Sequence, residues 1–188
     1  MIYIINFGSS KTSNIQQVVT SLGYECTIIP WEQTEKIDRT KATAYILSGS
    51  PTLLTEKSPE PYLEKISFLK NVTAPVLGIC FGHQLLGLLF GASIYKGKAI
   101  RTSTEIKIFN HSNIFNGFNE SEHFEEDHTE GITFPTTFIC LASSGEYENE
   151  AMKHPSKNIF GVQFHPEVSG ENGKMLLKNF LTLTSSKS

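Results

Sequence analysis

Val76-Leu77-Gly78-Ile79-Cys80-Phe81-Gly82-His83-Gln84 decides how this chain is read. A strand-length apolar run meets an apolar stretch of helical length, Phe81 to Phe90, through one Gly-x-Cys-x-Gly turn. A backbone that doubles back this sharply needs neighbours without Cβ, so the glycines fit the turn and the cysteine stands at its apex. The arrangement is the Gly-x-Ser-x-Gly elbow with sulfur in place of oxygen. The helix start aims unpaired N–H groups and the positive end of its dipole at that sulfur, which favours the thiolate. A buried structural cysteine is the plainer reading for most free cysteines. Glycines on both sides at a strand–helix junction weigh against it.

Outward from this junction the front half alternates strand and helix. Ile2 to Asn6 reads as a buried strand, and Ser13 to Leu22 sets Ile15, Val18, Val19 and Leu22 at helical spacing before Gly23. Cys26 to Ile29 and Ala42 to Leu47 read as strands, the latter ending on the turn Ser48-Gly49-Ser50-Pro51. Tyr62 to Leu69 is a candidate helix and Pro75 to Ile79 a fourth strand. This alternation predicts an α/β fold: an open, mainly parallel sheet flanked by helices. In the rear half Glu105 to Phe109, Phe138 to Leu141 and Ile159 to Phe164 read as extra strands, with a last helix around Gly173 to Leu183. No repeat or linker divides the sequence, so residues 1–188 are expected to form a single domain.

The bulk composition narrows the function. With 39% hydrophobic and 19% charged residues the chain is ordinary for a globular protein, and a net charge of -3 gives no basic face for nucleic acid. No apolar run approaches the roughly 20 residues that span a bilayer, and the N-terminus has no signal-peptide pattern. Cys26, Cys80 and Cys140 are odd in number and far apart, neither a disulfide framework nor a metal-ligand spacing. A cytoplasmic location without nucleic acid, membrane or metal is the expectation. Cys26 and Cys140, in apolar runs without glycine turns, are expected in the core.

A thiolate used for acyl transfer wants a histidine within reach and a third group to fix its ring. His165 ends the apolar run Ile159 to Phe164, where open α/β sheets place their chemistry, and Glu167 could accept its N–H. A surface histidine at a strand exit is the alternative. His83, one helical turn past Cys80, ranks second as base. His128, in the loop-like Asp127-His128-Thr129-Glu130-Gly131, is a candidate for the pocket, whereas His111, His123 and His154 read as solvated loop residues. A tetrahedral oxyanion needs N–H donors, and the backbone of Phe81 and the Gly49-Ser50 turn are candidates. An ordinary strand-ending turn is the competing reading for the second.

Together the segments resemble the class I (triad-type) glutamine amidotransferases over nearly the whole chain, with a flavodoxin-like sheet. Gly78 to Gln84 looks like that family's nucleophile motif, and Gly161-Val162-Gln163-Phe164-His165-Pro166-Glu167 like its His–Glu motif. The resemblance implies a Cys80–His165–Glu167 triad, a substrate contact for Gln84, oxyanion N–H groups from Phe81 and the Gly49-Ser50 turn, and L-glutamine as substrate. Within the family, Asn6-Phe7-Gly8-Ser9, Tyr24-Glu25-Cys26 and Glu150-Ala151-Met152-Lys153-His154 resemble the amidotransferase part of GMP synthetases. That resemblance implies ammonia delivery to a separate ATP-pyrophosphatase synthase that aminates XMP, with ATP and magnesium on the partner and no cofactor in this chain. Three positions depart from the pattern. Ser50 replaces a glycine and is expected to reach the required backbone conformation less easily, Asp127-His128-Thr129-Glu130 replaces Ser-His-Gly-Asp, and Gly97 to Glu105 lacks Glu-Tyr-Gly. Service to another synthase, stand-alone hydrolysis of glutamine or γ-glutamyl compounds, and a non-catalytic binding role on the same fold are the alternatives.

Overall fold

Five strands too apolar to face water on either side run parallel through the centre of the molecule. They are β1 (Ile2–Asn6), β2 (Cys26–Pro30), β3 (Ala44–Leu47), β4 (Val76–Ile79) and β11 (Ile159–Val162), in the order β2-β1-β3-β4-β11. The computed structural model describes residues 1–111 and 113–185. Alternation along β1 sends Ile2 and Ile4 to one face, with α1 (Thr12–Ser21) and α4 (Gly170–Thr182), and Tyr3 and Ile5 to the other, with α2 (Glu60–Ile66) and α3 (Phe81–Leu89). From β1 the connections leave in opposite directions to β2 and β3. Such a switch point opens a crevice at the carboxyl ends of the strands.

Beyond β11 the sheet continues antiparallel through β10 (Ala151–Lys153), β9 (Ile139–Ser143), β6 (Ser103–Ile108) and β7 (Ser121–Glu125). A separate antiparallel pair, β5 (Ile94–Ile100) and β8 (His128–Ile132), lies beside it. The sequence reading did not anticipate β5, β7, β8 or β10. His128 therefore opens a strand rather than sitting in a loop, and His123 lies within β7. The strand expected to reach Phe164 stops at Val162, and the chain leaves the sheet to carry His165 into the crevice. Cys26 and Cys140 are half-buried and not core, because both lie on strands toward the sheet margins. Among the described residues no helix is long and apolar enough to cross a membrane.

Candidate active site

Cys80 stands between β4 and α3 with φ 51 and ψ -106, far from the left-handed well near ψ of about +47. A side chain held there costs of order 1–3 kcal/mol, tolerated where the surroundings over-determine the backbone. Here the N–H of Cys80 donates to Val162 O at 2.8 Å and that of Gly82 to Ser48 O at 3.1 Å, pinning the elbow between β11 and β3. A Cβ on Gly78 would lie 2.5 Å from Gly82 O, and one on Gly82 would lie 2.6 Å from Leu47 O. Both glycines are thus required by close approach.

His165 and Glu167 enter from the end of β11. The N–H of His165 donates to Glu125 O at 2.8 Å, and Ser169 bridges the same segment, donating to His165 O at 2.7 Å while accepting from the N–H of Glu125 at 2.9 Å. His165 Nδ1 and Glu167 Oε1 lie 2.8 Å apart, both residues buried. Burial is the largest influence on the imidazole and works to lower it. The charge and hydrogen bond of Cys80, then those of Glu167, outweigh burial and raise His165 to about 10. The ring is an imidazolium at neutral pH, with Cys80 on one side and Glu167 on the other.

The crevice is a cleft of about 360 Å³ bordered by Ser50, Phe81, Gln84 and His128 as well as Cys80 and His165. Gly49 backs directly onto the pair: a Cβ there would come within 3.1 Å of His165 Cε1 and 3.7 Å of Cys80 Cβ. The backbone difficulty expected at Ser50 does not arise through positive φ. Besides glycines, Cys80 and Asn113 alone among the described residues have one. Gln84 lines the cleft, but its amide donates to Glu130 O and Gln163 Oε1, each at 3.1 Å, and Gln163 in turn donates to Cys80 Sγ at 3.6 Å. At the rim Lys11 pairs with Asp127 at 2.8 Å.

His83 does not reach the nucleophile. It lies on the far side of the helix against Gly161, where a Cβ would sit 2.5 Å from His83 Nδ1. Burial, then the neighbouring His128, lowers its imidazole to about 3, which leaves it neutral and enclosed. Sequence reasoning passed over Gln163, Ser169 and Glu130. The buried carboxylate of Glu130 accepts from Leu54 N at 2.9 Å, Thr55 N at 2.7 Å and Thr55 Oγ1 at 2.5 Å, fixing the loop that follows Ser50. Gln163 had a signal, an amide inside the apolar run Ile159 to Phe164; Glu130 had none.

The profile of the family described as "Glutamine amidotransferase class-I" matches residues 3–183. The chain is 37% identical to the amidotransferase-sized subunit of the glutamine-hydrolyzing GMP synthase of Pyrococcus furiosus, over 96% of each chain. It is 33% identical to the glutamine-hydrolyzing GMP synthase of Chlamydia muridarum, matching 96% of this chain but 36% of that one. Among solved structures, a proposed GMP synthase subunit from Thermoplasma acidophilum superposes with a TM-score of 0.90 at 28% identity, over 98% of this chain and 94% of the other.

Proposed function

Because the chain belongs to the class-I glutamine amidotransferases, we propose that Cys80, His165 and Glu167 hydrolyse L-glutamine and pass the ammonia to a separate synthase that makes GMP from XMP. One observation carries the chemistry: a strained, glycine-flanked cysteine facing a buried imidazolium that is held 2.8 Å from a carboxylate. The Cys80 thiolate attacks the side-chain amide carbon of glutamine. The N–H groups of Phe81 and Ser50 receive the resulting oxyanion. His165 protonates the leaving nitrogen, which departs as ammonia and leaves a γ-glutamyl thioester on Cys80. The now neutral His165 takes a proton from water as its oxygen attacks the thioester. Glutamate departs and the thiolate–imidazolium pair is restored.

The separate synthase is supported by the length of the match. Nearly all of the chain pairs with nearly all of the Pyrococcus protein, whereas it spans about a third of the Chlamydia enzyme. In this reading ATP and magnesium act on the partner chain, and the hydrolysis itself calls on no cofactor. The three cysteines, free in the structure, suit a reducing cytoplasm. Gln84 and His128 border the bound glutamine. Cys80→Ala should lower glutaminase activity by a factor on the order of 10³ or more. GMP formation from free ammonia by the mixed subunits should be spared. Wild-type glutamine turnover by that variant would overturn the proposal.

A further inference from the structure

Behind the cleft, Glu126, His128 and Glu150 converge, each offering a donor atom within 4.8 Å of the others, and all three are buried. His128 Nδ1 lies 2.9 Å from the main-chain oxygen of Glu130. A carbonyl only accepts, so Nδ1 carries the proton and Nε2 is left to face the carboxylate of Glu126, with which it is in close contact. Two acceptors meet at such a distance only with a positive charge between them. Glu126 Oε1 and Glu150 Oε2 are buried without hydrogen-bond partners, an expensive condition for carboxylate oxygens. The other oxygen of Glu150 accepts from Ser144 Oγ at 2.7 Å. Burial, then the Glu126 charge, pushes the Glu150 carboxyl well above the usual carboxylate range. The cluster therefore takes up two positive charges, as two protons or as one divalent cation.

We propose that Glu126, His128 and Glu150 form a binding site for one divalent transition-metal ion, which enters in exchange for two protons. An imidazole whose Nδ1–H is tied to a backbone carbonyl, with Nε2 turned inward, is the arrangement that orients a histidine ligand. One nitrogen and two carboxylate oxygens suit zinc, manganese or iron. Ligands about 2 Å from a tetrahedral ion stand about 3.3 Å apart, so the close Nε2–Glu126 contact opens while the wider separations close. The charges balance: the ion displaces the proton shared by His128 and Glu126 and the proton of Glu150, while Nδ1 keeps its own. Glu126 borders a second cavity of about 270 Å³ next to His165, and His128 borders the main cleft, which gives the ion a path inward. The site is independent of the glutamine chemistry.

The test uses the full chain carrying Cys80→Ala, so that a thiolate cannot capture the metal. Titration with Co²⁺ near neutral pH in weak buffer should give one ion per chain with visible d–d absorption, and about two protons released per ion. Zn²⁺ should displace the Co²⁺ and bleach the spectrum. Glu150→Gln and Glu126→Gln should each weaken uptake by at least about tenfold. The proposal is overturned if the folded chain retains no Co²⁺, or if uptake is unchanged in both glutamine variants. Should a variant fail to fold, the proton count on the Cys80→Ala chain decides: about two supports the site, and fewer than one overturns it.

Discussion

His165 holds its proton because the charge of Cys80 and the carboxylate of Glu167 together overcome the burial that opposes it. Its folded value of about 10 lies above the ordinary value of about 6.5. The protonated ring consequently stabilises the fold, fully below about pH 6.5, and that contribution is lost as pH rises through about 10. Melting temperature followed across this window should fall for the wild type and fall less for Cys80→Ala, which lacks the partner charge. Equal losses in the two proteins would remove Cys80 as the cause. At this scale the sequence was legible where chemistry is packed into a short motif, as with Cys80, His165 and Glu167. It was opaque where a polar residue finds its partner far along the chain: Gln163 meets Gln84 79 residues away, and Glu130 meets Thr55 75 away.

The elbow and the loop facing it are the elements on which the geometry depends. A Cβ at position 82 has backbone of β3 in its way, and backbone cannot yield as a flexible side chain can. Gly82→Ala should therefore lower stability by about 1–3 kcal/mol, measured by denaturant unfolding, and displace Cys80 enough to depress kcat. Glu130→Ala removes an acceptor shared by two backbone N–H groups and a hydroxyl. It should destabilise by about 1–3 kcal/mol, and loosening residues 50–55 should raise KM for glutamine more than a distant surface substitution of equal stability cost. Central strands were readable because burial on both faces leaves almost unbroken apolar runs. β5 and β7 gave no such signal, since each keeps half or more of its residues exposed or half-buried and sits at a margin. β8 hid behind buried polar groups: His128 and Glu130 break the apolar pattern although both lie inside.

For the molecule as a whole, the proposed role couples two chains through one nitrogen atom. Glutamine labelled with ¹⁵N in the side-chain amide, given to the mixed subunits with unlabelled ammonium in the medium, should transfer most of its label to the 2-amino group of GMP. Label diluted to the level of the ammonium pool would mean that ammonia escapes before use. The parallel half of the sheet gathers the functional residues at one rim, since Ser50, Cys80 and His165 all follow strands that end there. β11 is nearly the last strand made, yet it lies in the interior of the sheet, between β4 and β10. On the ribosome the cysteine emerges well before its imidazole, and the gap beside β4 is filled only when residues 159–162 arrive. Non-local pairing of this kind forms late. The nascent chain thus carries a thiol that has not yet met its activating partner, and the onset of hydrolysis serves as an internal timer for the completion of the fold.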